Sequence, residues 1–150
     1  MSHYIHYVKR RVIVRYPQSV DAPCFGELNA YDGSFEAPCA HVTWLTSWPA
    51  PKLAPDDTIW LIGQLASPWG SLSPAVDARI VVKSVQPRLP GQPDSGYRFV
   101  AGEGSRWFPM CDAGPVLARS RVRLKDGGLL SPYLGAGGNL GQAFRNLRRL

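Results

Sequence analysis

Apolar and polar residues alternate with a period of two along most of this chain, which is the signature of strands with one buried face. In Tyr4–Tyr16 the even positions (His6, Val8, Arg10, Val12, Val14, Tyr16) are mostly apolar, while Lys9, Arg11 and Arg15 fall on the other face. Ala40–Trp48 repeats the pattern, with Val42, Trp44, Thr46 and Trp48 opposed to His41, Thr43, Leu45 and Ser47, and Pro49-Ala50-Pro51 ends it. The centre of the chain, Ala54–Val85, reads as strand, loop, strand. Thr58–Leu65 is β-branched, aromatic and apolar after a Pro55-Asp56-Asp57 turn signal; Ala78–Val85 is a second such run; Ser67–Pro74 between them is full of turn formers. Tyr97–Phe108 predicts a strand broken at Gly102-Glu103-Gly104. Val116–Lys125 and Leu129–Leu134 predict a hairpin joined at Asp126-Gly127-Gly128.

The remaining segments predict connections and one helix. Pro17–Pro38 is a long loop with a short hairpin around Asp32-Gly33, Gln86–Gly96 is a loop because it holds three prolines and two glycines, and Pro109–Pro115 is a connection. At the C-terminus, Leu140, Phe144, Leu147 and Leu150 recur at helical spacing behind an Asn139 cap with Gln142 three residues on. About seven short strands and one helix imply a mostly β, α+β fold, with a sandwich or a small closed or partly open barrel as the natural solution.

Length and composition narrow the class. A chain of 150 residues with 45% hydrophobic content supports one domain over 1–150 with a proper core. It lacks an apolar run near 18 residues and has no signal-peptide zones at Met1–His6, so a soluble, cytoplasmic protein is expected. Cys24, Cys39 and Cys111 are odd in number and widely spaced, suiting neither a disulfide framework nor a zinc site.

Charge adds a partner class. The net charge is +6, and thirteen of the seventeen cations are arginine, the side chain that forks onto phosphate and stacks on flat rings. On the expected strand 116–125, Arg119, Arg121, Arg123 and Lys125 form one stripe; Arg145, Arg148 and Arg149 lie on the expected helix. Such a stripe suits a polyanion, and an ordinary solvent face of a half-buried strand produces it equally. The five tryptophans sharpen this: Trp48 precedes Pro49, Trp69 lies in Pro68-Trp69-Gly70 and Trp107 follows Arg106. Aromatics at strand ends beside arginines can stack a base and hold its phosphate, and buried tryptophans can equally be core.

Catalytic signals are weak. Gly135–Gly141 precedes the expected helix but is neither G-x-G-x-x-G nor a P-loop, so it reads as a turn. Cys39-Ala40-His41 and Cys111-Asp112 come nearest to nucleophile or metal chemistry, yet no metal-ligand spacing is present and buried structural cysteines explain them. Asp56-Asp57 and Asp77 flank strands as turn residues, and no motif calls for a cofactor.

The segment Pro55–Ile62, followed by Asp77-Ala78-Arg79-Ile80-Val81-Val82-Lys83-Ser84-Val85, resembles the middle of PUA-like β-barrel domains, the superfamily that includes EVE, ASCH and YTH domains. Asp56 stands where those domains usually carry glycine. The likeness covers roughly residues 40–150 and implies a pseudobarrel whose surface pocket takes a flipped or modified base from RNA or DNA. By position it places Trp44, Ser47 and Trp48 near the pocket wall and Trp69 in the loop above. The expectation is a nucleic-acid-binding module, with no catalytic residues assigned and a site of Trp44, Ser47, Trp48, Trp69, Trp107, Arg119, Arg121, Arg123 and Arg145. Two alternatives stay open: a nucleoside-type enzyme using His41, Cys111 or Asp112, and a protein-interaction or dimerisation domain.

Overall fold

A computed structural model describes residues 1–7, 40–64, 74–130 and 147–150. Its spine is a single 16-residue strand. The strands are β1 (His3–Tyr7), β2 (Ala40–Thr43), β3 (Thr58–Gln64), β4 (Pro74–Leu89), β5 (Gln92–Ala101), β6 (Arg106–Asp112), β7 (Val122–Arg123), β8 (Leu129–Leu130) and β9 (Arg148–Arg149); a 3-10 turn (Ala50–Lys52) and one short helix, α1 (Gly114–Arg119), complete the described elements. They form one mixed sheet in the order β2-β5-β4-β3-β1-β9-β7-β8, with β6 also paired to β4. β4 is long enough to serve three partners. β3 lines one edge, pairing Thr58 with Val81 through Gln64 with Pro74. β5 and β6 follow one another along the other edge, β5 on Val82–Leu89 and β6 on Ala75–Arg79. Register shifts in all three ladders bend this strand.

Both faces of the sheet are buried near its middle, and alternation explains which residues go where. Tyr4, Ile59, Leu61, Ala78, Ile80, Val82, Phe99 and Leu147 pack into one cluster, while Ile5, Ile62, Ala113, Leu117 and Val122 pack into a second beneath α1. Neighbours in sequence such as Tyr4 and Ile5, or Leu61 and Ile62, therefore belong to different clusters.

The turn before β3 fastens the N-terminus. Asp57 is buried, and its carboxylate accepts the Ser2 backbone N–H at 2.7 Å and the Ala54 N–H at 3.0 Å. Thr58 N–H then donates to Ser2 C=O at 2.9 Å, which sets the parallel register His3 with Thr58. Asp56 occupies left-handed backbone (φ 72°), the conformation for which such turns favour glycine. Asp57→Ala strands two amide donors, and we expect a loss of about 2 kcal/mol in urea denaturation; a loss below ~0.5 kcal/mol would mean that water replaces the carboxylate.

Several expectations are corrected. Gln86–Gly96 is a tight hairpin of β4 and β5 turning at Pro90-Gly91, with Gly91 at φ 74°. Pro87 is accommodated where the register slips between Pro87 and Leu89, and Pro90 lies in the turn. Pro109–Asp112 is strand, part of β6. Val116–Arg119 is helix rather than strand, because Pro115 suits the first helical turn and Leu117 is drawn onto Ile5 and Ile62. The hairpin at Asp126-Gly127-Gly128 is present; among the described residues its paired arms are Val122–Arg123 and Leu129–Leu130, and residues 131–134 of the expected second arm lie outside. The expected C-terminal helix ends as strand, since Arg148–Arg149 pairs with β1 and β7; its earlier residues lie outside those described. The expected strand 40–48 stops at Thr43, where Leu45 N–H turns back onto Thr43 Oγ1 at 3.2 Å. The fold is thus mostly β. The sheet's end strands, β2 and β8, are not paired with one another among the described residues. The described residues contain no helix long and apolar enough to cross a membrane. Of the expected strand 4–16 only His3–Tyr7 is described, and the hairpin near Asp32-Gly33 and the Gly135–Gly141 segment lie outside.

Candidate functional site

Two surface clusters and one buried pair carry the polar chemistry of the described residues. The first cluster forms where β2 ends against the β4–β5 hairpin. Thr43 pairs with Tyr97, and the next residue, Trp44, leaves the sheet with 62% of its surface exposed. The exit is possible because Gly96 lies directly beneath, at φ 107°, where any side chain would run into the Thr43 carbonyl. Arg88, from the last turn of β4, lays its guanidinium over the Trp44 ring, 4.0 Å from the centroid. That guanidinium is itself held: Nε donates to Ser95 C=O at 2.6 Å, and Ser95 Oγ donates to Gln92 C=O at 2.6 Å while accepting Leu89 N–H at 2.9 Å. The indole thus carries a held cation over its ring while most of its surface stays exposed. Ser47, exposed, and Trp48, half-buried before a cis Pro49, lie on the same short loop.

The second cluster is on the sheet. Trp60 of β3 faces Arg79 of β4 in register, and Arg79 faces Arg106 of β6. Trp60 stacks with His3 at 6.4 Å and meets Phe108 at 6.1 Å, with Arg79 6.0 Å above the Trp60 ring and Arg106 4.6 Å above Phe108. Trp60 Nε1–H donates to His3 Nδ1 at 3.3 Å, and Arg79 Nε donates to Gly104 C=O at 2.9 Å. His3 and Arg106 are exposed.

The buried pair is His6 and His41. His6 Nδ1 and His41 Nε2 are 2.9 Å apart, the rings are edge-on, and His41 stacks on Phe99 at 6.3 Å. His41 Nδ1 is buried without a hydrogen-bond partner. A bare acceptor there is the less costly orphan, which favours His41 donating from Nε2 to His6. Burial first, and then the neighbouring His6, hold His41 well below the ordinary imidazole range, so it stays neutral. The sign follows: the unfolded chain binds this proton near its ordinary pKa of about 6.5 and the native state does not. The stability that a neutral His41 confers is full above that pH and is lost as pH falls below it. We expect the melting temperature to drop between pH 7.5 and 5.5, and the drop to shrink in His41→Gln. An unchanged drop in that variant would place the acid sensitivity elsewhere.

The expected site residues separate accordingly. Trp44, Ser47 and Trp48 share one loop. Arg119 lies on α1 with Nε donating to Pro115 C=O at 3.2 Å; Arg121 follows α1 with Nη1 donating to Ser120 C=O at 3.0 Å; Arg123 is on β7 opposite Arg149. The helix interrupts the strand period, so the four-cation stripe does not form. Trp107 lies on β6 opposite Ala78, and its side chain, like Trp69 and Arg145 entirely, is outside the described residues. For the enzymatic alternative, His41 is on β2 while Cys111 and Asp112 are on β6, and these strands are not neighbours. Among the described residues no three His, Cys, Asp or Glu side chains gather around a common metal position. Sequence reasoning missed Arg88, because 86–96 reads as loop, and missed the Trp60–Arg79 pair, whose signal was the antiparallel register of two strands already expected.

No protein-family model, curated protein or solved structure matches this chain.

Proposed function

We propose that the protein is a nucleic-acid-binding module that stacks one base, flipped or otherwise unpaired, against Trp44. The observation that carries this reading is the anchored Arg88 guanidinium on one face of an exposed indole. An exposed indole offers an unpaired base a surface to stack on, and a guanidinium fixed beside it is suited to that base's phosphate. Ser47 and Trp48 on the adjoining loop would supply a hydroxyl and a further wall, as a PUA-like base site would require. The net charge of +6 supports an anionic partner. Arg119, Arg121 and Arg123, exposed on α1, the following turn and β7, serve in this reading as separate phosphate contacts without base readout; Trp69, Trp107 and Arg145 remain candidates of the same kind.

The test is tryptophan fluorescence titrated with single-stranded DNA, single-stranded RNA and duplexes carrying modified bases, at low and moderate salt. Saturable quenching that weakens as salt rises is expected. Absence of any response would overturn the proposal and shift the weight to a nucleoside-sized ligand or a protein partner.

A further inference from the structure

The His3–Trp60–Phe108 cluster has a property that packing alone does not account for. Arg79 and Arg106 are directly opposite one another on β4 and β6. Like charges at that position repel, and stable sheets usually offset them with a carboxylate. Here Arg79 meets only the Trp60 ring and the Gly104 carbonyl, and Arg106 only the Phe108 ring, among the described residues. Asp77 is buried with an interaction of its own, and Glu103 is exposed in the turn before β6. Among the described residues no carboxylate offsets these two guanidiniums, which lie on aromatic rings; the pair suits an anion, and their planes offer a flat group something to stack on.

We infer that this cluster is a second contact for a single-stranded nucleic acid, which the protein holds at two places along β4. The inference rests on the nucleic-acid reading of the Trp44 site. A duplex buries the faces of its bases, so two stacking surfaces are of use only to an unpaired strand. Arg79 and Arg88 are nine residues apart on one bulged strand, at most roughly 30 Å at ~3.3 Å per residue. That span falls within the site sizes of about 4–16 nucleotides that stacking platforms cover. Phosphates of the strand would lie between Arg79 and Arg106, while bases stack on the outer guanidinium faces and on the exposed His3 ring.

The test uses the full chain and labelled oligodeoxythymidylate and oligouridylate of increasing length, with a hairpin duplex as control, read by anisotropy. Affinity should rise with length until the strand reaches both contacts, for one or both sugars. Arg106→Ala and His3→Ala alter exposed side chains and should leave the fold intact, which circular dichroism would check. Each should remove the gain for long oligonucleotides, about tenfold, and leave short ones unaffected. Arg106→Ala should also lower the salt slope by about 0.7, one phosphate on a single strand. If Trp44→Ala weakens binding while both of these variants bind long strands as the wild type does, the second contact is wrong and the first stands. Duplex binding as tight as single-strand binding would also overturn it. If the wild-type protein binds no nucleic acid, the Trp44 reading itself fails.

Discussion

Gly96→Ala is expected to cost about 3–4 kcal/mol of stability, the largest effect of any single substitution considered, because two penalties combine at one atom. The backbone at Gly96 is at φ 107°, outside what an L side chain adopts without strain. The new Cβ would also collide with the Thr43 carbonyl and come within 2.9 Å of Trp44 Cα. Both obstacles are backbone, so no rotamer change relieves them. The strand pair that must give way is β2 with β5, which buries His41, Val42 and Thr43 and positions Trp44. Urea denaturation measures the loss, and Gly91→Ala is the control: its φ of 74° carries the conformational penalty, but nothing lies within 4 Å of the new Cβ. A Gly96→Ala loss no larger than that of Gly91→Ala would show that β2 shifts freely and that the close approach is unimportant.

Trp44→Ala is expected to weaken nucleic-acid binding by about ten- to a hundredfold, since a stacked base is worth ~1–3 kcal/mol. Stability should change little, because most of the indole is in solvent. Arg88→Ala should also weaken binding, but with a different signature. It removes a cation and so flattens the salt dependence, whereas Trp44→Ala leaves that slope in place. Trp44→Phe should restore part of the affinity, as a smaller ring stacks less. Equal affinity of Trp44→Ala and wild type would remove the base-stacking role and leave the exposed indole to a protein partner.

How much of this was legible differs from element to element. The β3 and β4 strands were readable because each is a long β-branched run with turn formers on either side, and local pattern suffices for that. The reach of β4 to Leu89 was not, because Pro87 and Pro90 read as loop residues; Pro87 sits in a bulged ladder with β5, and Pro90 makes the turn. Arg88 was hidden with them, and with it the partner of Trp44. The 116–125 segment misled in the opposite direction. Its alternating arginines satisfy the strand period, yet Leu117 finds its cover on Ile5 and Ile62 only in a helical turn. Trp44, Ser47 and Trp48 were named together for a site, and they share a loop, but the expected strand face of Val42, Trp44 and Thr46 ends at Thr43.

By itself the sequence determined the β class, the positions of β3 and the middle of β4 (Ala78–Val85, within Pro74–Leu89), the turns at Asp56-Asp57 and Asp126–Gly128, and a surplus of arginine. Each follows from backbone period, turn chemistry or charge, which act within a few residues. Only the tertiary structure decided that β1 lies parallel to β3, that Arg148–Arg149 joins the sheet, that His6 meets His41, and which guanidinium covers which ring. Those choices depend on which apolar faces bury one another across long stretches of chain, and a period of two is the same for every strand that could have been the partner.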